Sequence, residues 1–172
     1  TGAGAEGALA FVPLSCCLAA EEGGPVPAAV GEVLGGGAAS VDLELRLAVA
    51  LLLEMRDPSS PFAPYLATLP PPAAFAHHPM MWGAGELEAL ADPPLAAAIQ
   101  GDRASADALY GDCIAGALPG ASLEQWLHCV ALVRTRTYAR RSASGGVSLA
   151  LEPIVDLANH RRFRRPSEGG GA

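Results

Sequence analysis

The sequence predicts an α+β domain with short strands and a large helical middle. Two strand-like apolar runs stand near the two ends of the chain, with a long, mostly helical stretch between them. No internal repeat occurs, nor the regular alternation of strand and helix that builds a parallel sheet. At 172 residues the chain suits one domain with its own core, since domains commonly run to about 100–200 residues.

The first run, "GALAFVPLSCCL" at residues 7–18, meets Pro13 as a strand and its exit turn would. Residues 21–40 are rich in Gly and Pro and read as a loop with one weak helical turn. Ser40 is a candidate N-cap for residues 41–56, where Asp42 suits the positive end of a helix and the later turns are apolar nearly all round. This is the predicted central buried helix, although polar residues at 42, 44 and 46 also alternate as in a strand. Prolines at 58, 61, 64 and 70–72 then exclude any long helix.

Residues 86–91 predict a short helix stopped by Pro93 and Pro94, and Asp92 with Pro93 starts another whose apolar face is Leu95, Ile99, Leu109 and Tyr110. Ser122 and Gln125 form a capping box. Trp126, Val130 and Val133 follow at i, i+4, i+7 spacing, which predicts a helix through to about Tyr138 with one buried face. "RRSASGG" breaks it, "VSLALEPIVDLA" is the second strand-like run, and residues 166–172 read as a disordered tail.

Composition narrows the function classes. All 11 basic residues are Arg, and the formal charge of -7 is unevenly spread. Residues 1–133 hold three Arg against 15 acids, whereas residues 134–165 hold eight Arg against two. The basic segment offers only Phe163 and Tyr138 for base stacking, so no nucleic-acid partner is expected. Arg161, Arg162, Arg164 and Arg165 read as a solvated patch, or as one that meets an acidic substrate. The longest apolar helix candidate, residues 41–55, carries Asp42, Glu44, Arg46 and Glu54 and falls short of the roughly 20 apolar residues of a membrane span, so no membrane partner is expected. Adjacent Cys16 and Cys17 cannot form an ordinary unstrained bridge with each other, and the four cysteines read as reduced thiols in an intracellular protein. No C-x-x-C or H-x-x-x-H spacing suggests a metal, and His77 and His78 read as exposed or packed loop residues. The chain starts at Thr1 without a basic leader and reads as a piece of something longer.

One stretch is more specific. "LALEPIVDLANH" resembles the L-x-P-x-x-D-x-x-N-H segment of SET-domain protein methyltransferases, in the branch typified by the Rubisco large-subunit lysine methyltransferase. Three other segments resemble that branch in the same order. They are the strand ending in a V/I-P pair ("LAFVPLSCCL"), a helix before a W/F-x-P-Y-x-x-T-L-P element ("LAVALLLEMRDPSSPFAPYLATLP"), and a helix ending in S/T-R before an aromatic ("WLHCVALVRTRTY"). The resemblance covers about residues 7–161.

The resemblance implies a partial SET domain at residues 7–165, with about 41–121 as its helical insertion, and S-adenosylmethionine as cofactor. It implies that Asn159 and His160 hold the cofactor, that Arg136 approaches its carboxylate, and that Asp156 lies near the same pocket. An Arg fork suits a carboxylate because it offers paired, charge-assisted hydrogen bonds. Tyr138 falls where lysine-directed members carry an aromatic residue, which implies a protein lysine as methyl acceptor. The branch includes a chloroplast enzyme, so chloroplast, cytosol and nucleus stay open. The family's Gly-x-Gly cofactor loop has no clear counterpart, since "GAG" at residues 2–4 sits close to the first strand. Its catalytic tyrosine lies beyond the Asn-His pair, and the chain ends 12 residues after His160, so no catalytic residue is assigned.

Plainer readings stand beside these. Asn159 and His160 could cap a turn, Arg136 could be a solvated cation at a helix C-terminus, and Tyr138 could be core. At the level of the whole chain the alternatives are a non-catalytic cofactor- or protein-binding fragment and an Ala-rich helical interaction module.

Overall fold

The computed structural model describes residues 11–142 and 145–157. Among these residues the chain is α+β, with helices packed beside a small antiparallel sheet. In chain order the elements are β1 (Leu18–Glu21), α1 (Ala28–Leu34), α2 (Leu43–Arg56), α3 (Ala63–Leu66), α4 (Ala84–Ala89), α5 (Pro93–Leu109), α6 (Ala115–Ala117), α7 (Leu123–Arg136), β2 (Thr137–Arg141) and β3 (Val147–Leu151). The strand order is β1-β3-β2, so β3 is central. Leu18 pairs with Leu151 on one side of it, and Thr137 pairs with Leu151 on the other.

The core lies where α2 meets α7. Leu47 and Leu51 of α2 and Trp126, Val130 and Val133 of α7 are fully buried, and Leu151 of β3 closes the sheet side. Helix α2 is central, as predicted, but Asp42 rather than Ser40 caps it, by accepting from the Glu44 amide at 2.8 Å. Glu44 in the first turn and Arg56 in the last suit the helix dipole. The predicted capping box at α7 is present: Ser122 Oγ accepts from the Gln125 amide and Gln125 Oε1 from the Ser122 amide, both at 3.1 Å. Asp92 likewise caps α5, its carboxylate accepting from the Leu95 amide at 3.0 Å.

Several expectations are corrected. In the described part of residues 7–18 no strand precedes Pro13. The Pro13 carbonyl accepts from Cys16 at 2.9 Å, closing a 3-10 turn, and the strand begins only at Leu18. The one weak helical turn expected within the loop at 21–40 is the seven-residue helix α1, entered from Pro27 and ended at Gly35, whose φ of 67° is left-handed. The helix expected to reach Tyr138 stops at Arg136, because Thr137 turns extended and opens β2. The sheet therefore has three strands where the sequence suggested two. Leu95 is 47 % exposed and Ile99 only partly buried, and neither joins the core, whereas Leu109 and Tyr110 of the predicted face pack against it. The second half of α5 is anchored: Trp126 Nε1 donates to the Ala106 carbonyl at 2.8 Å. A π turn at Tyr110–Ile114 then carries α5 into α6.

The proline-rich stretch after α2 forms only α3 and short 3-10 turns, as proline's missing N–H requires. All four cysteines are unbridged. Among the described residues no helix is long and apolar enough to cross a membrane.

Candidate functional site

The end of α7 and the two following strands bring Arg136, Tyr138 and Asp156 together. Arg136 is the last residue of α7, Tyr138 the second of β2, and Asp156 sits in a 3-10 turn, Val155–Leu157, shortly after β3. Because β2 and β3 run antiparallel, with Thr137 facing Leu151, the chain leaving β3 returns beside the end of α7. Arg136 Nη1 donates to Asp156 Oδ2 at 3.2 Å. The Tyr138 hydroxyl donates to the Val155 carbonyl at 3.0 Å. From α3, the Tyr65 hydroxyl donates to the same Asp156 oxygen at 2.9 Å.

The electrostatics of this cluster follow from burial. The Asp156 side chain has no solvent exposure, whereas that of Arg136 is 22 % exposed. A buried carboxylate needs partners, and Tyr65 and Arg136 supply two on one oxygen. The other oxygen, Oδ1, has none among the described residues. Burial, then the bond to Asp156, raises the Tyr65 phenol far above its ordinary range, so it stays a neutral donor. The guanidinium spends Nη1 on Asp156 and keeps an exposed side.

Arg136, Tyr138 and Asp156 line a cleft of about 600 Å³. Its other wall comes from the proline-rich stretch, through Pro70, Ala74, Phe75, His77 and His78. His78 Nδ1 accepts from the Met80 amide at 3.2 Å, so a neutral ring carries its proton on Nε2. Burial, helped by the charge of Arg134 and by His77, holds the His78 pKa below its usual value. Among the described residues no group of three or more His, Cys, Asp or Glu side chains gathers as a metal site.

Of the residues singled out from sequence, Arg136, Asp156 and Tyr138 converge, with Tyr138 on a strand rather than at a helix end. Asn159 and His160, and the arginines at 161, 162, 164 and 165, lie outside the described residues. From sequence alone Tyr65 is a position of a resembling segment without an assigned role, and His77 and His78 have none. For Tyr65 the signal was its place in "FAPYLATLP".

No protein-family model matches this chain, and no curated protein is significantly similar to it.

Proposed function

We propose that the chain is an S-adenosylmethionine-dependent protein-lysine N-methyltransferase of the SET type, a partial SET domain whose helical insertion lies between its first two strands. The observation that carries the reading is the Arg136–Asp156 pair beside a cleft of about 600 Å³. That volume lies in the range of small-molecule sites, about 300–1,000 Å³. The motif resemblance singles out the same two residues independently of the fold.

The cleft's chemistry fits an amino-acid-bearing cofactor. Arg136 has guanidinium donors left for a carboxylate once Nη1 is committed to Asp156. Asp156 fixes the orientation of that guanidinium, and Tyr65 fixes Asp156. Asn159 and His160 would complete the hold on the cofactor. When bound, S-adenosylmethionine supplies a methyl group activated by its sulfonium. The chain's task is then to align a neutral amine and exclude water. Tyr138 gives the cleft an aromatic lining, and desolvation of a lysine amine in the cleft would disfavour its charged form and so promote the nucleophilic one.

The test is calorimetric titration of S-adenosylhomocysteine into the 172-residue chain. Saturable binding is expected, and Asn159→Ala should weaken it at least tenfold, about 1.4 kcal/mol. No binding, or an affinity unchanged in the variant, overturns the reading.

A further inference from the structure

The cleft's second wall begins with a stretch that has no backbone donors of its own. Pro70, Pro71 and Pro72 follow one another, and none has an N–H to donate. The stretch must therefore be tied to the body of the protein through its carbonyls or through packing. His128 provides such a tie. It lies on the buried part of α7, 4 % exposed, and its Nε2 is 3.0 Å from the Pro70 carbonyl oxygen. A carbonyl only accepts, so Nε2 carries the proton and donates. The same imidazole packs edge-on against Phe75, with ring centroids 5.4 Å apart, and His78 packs on Phe75 at 5.8 Å. At the far end of the segment, Arg103 Nη1 donates to the Met80 carbonyl at 2.6 Å.

Pro70, whose carbonyl His128 bonds, and Phe75, on which its ring packs, both line the cleft, while His128 does not. We propose that His128 is a positioning residue, which sets the proline wall of the cleft against the Arg136 side by holding Pro70 and Phe75. The role in ligand binding rests on the cofactor reading above; the role in holding the wall does not. Burial keeps the imidazole in its neutral form, which suits a ring with one committed donor.

Two variants separate the bond from the volume. His128→Leu keeps apolar bulk and loses the donor, whereas His128→Gln offers an amide nitrogen near the place of Nε2. Amide hydrogen exchange across residues 73–82 and titration with S-adenosylhomocysteine are the two readouts. In His128→Leu, exchange is expected to quicken about fivefold to tenfold, the effect of losing one such bond, and affinity to fall by a similar factor. His128→Gln should restore most of both. Should the Leu variant fail to fold, His128→Asn, whose shorter amide does not reach Pro70, replaces it in the comparison with Gln. Exchange that is the same in the donor-lacking and donor-keeping variants overturns the positioning role. Faster exchange with unchanged ligand affinity overturns its link to the cleft. If the unaltered chain binds no S-adenosylhomocysteine, the cofactor reading falls with the ligand half of this proposal, and exchange alone still decides whether His128 holds the wall.

Discussion

The Tyr65 hydroxyl and the Asp156 carboxylate meet at 2.9 Å, although 91 positions separate them in the chain. The bond ties the short helix α3 to the turn that follows the central strand. It lies on the same carboxylate oxygen that receives Arg136, so a phenol and a guanidinium share one buried acceptor.

Tyr65→Phe should therefore destabilise the fold by about 1–2 kcal/mol, because a buried carboxylate whose other oxygen has no partner among the described residues loses a donor. Urea unfolding checks this. A midpoint equal to that of the unaltered chain would show that the bond contributes nothing.

How far the sequence foretold this arrangement depended on how local each cause is. Ser122 and Gln125, and Asp92 before Pro93, were legible because a cap needs only residues within one turn. The end of α7 was misjudged because apolar spacing does not register where the backbone turns extended. The sign lies in Thr137, whose amide and hydroxyl both return to the Val133 carbonyl, the hydroxyl at 2.8 Å. β1 was misplaced because what makes Leu18–Glu21 a strand is β3, at the other end of the described chain. At the site, Arg136, Tyr138 and Asp156 stood out through a motif. Tyr65 and His128 lie in resembling segments too, but their roles were not legible, since their partners lie 91 and 58 positions away.

Mild acid should weaken the fold through its buried histidines. Burial depresses the pKa of both His128 and His78, with Arg134 and His77 adding to the effect at His78, and with the bond to the Pro70 carbonyl and then Glu124 opposing it at His128. In the unfolded chain these rings take up protons near the ordinary value, about 6.5. As pH falls below that point the unfolded state binds more protons than the folded one, and stability present at higher pH is lost as the folded values are approached. The urea midpoint is expected to drop between pH 7.5 and 5.5, and to drop less in His128→Gln. A flat profile over that interval would contradict the burial of these rings.

Thiol reactivity should divide by position. Cys16 is exposed, whereas Cys129 is buried beside Met55 with its pKa pushed up to about 12 by desolvation. Only the thiolate attacks a disulfide reagent. At pH 8 Cys16 should be labelled first, and Cys129 only at the rate of unfolding, as peptide mapping of partly labelled protein would reveal. Early labelling of Cys129 would place that part of α7 at the surface.

The pairing of β1 with β3 has a consequence for the order of assembly. A strand near one end of the described chain closes on one near the other, so its contacts become worthwhile only after the intervening helices have drawn the two together. The β2–β3 hairpin, by contrast, joins near neighbours and can form early. During synthesis, then, β1 must wait without its mate until almost everything described here has left the ribosome, and any variant that slows the packing of α2 on α7 lengthens the time for which that solitary edge is open to the wrong companion.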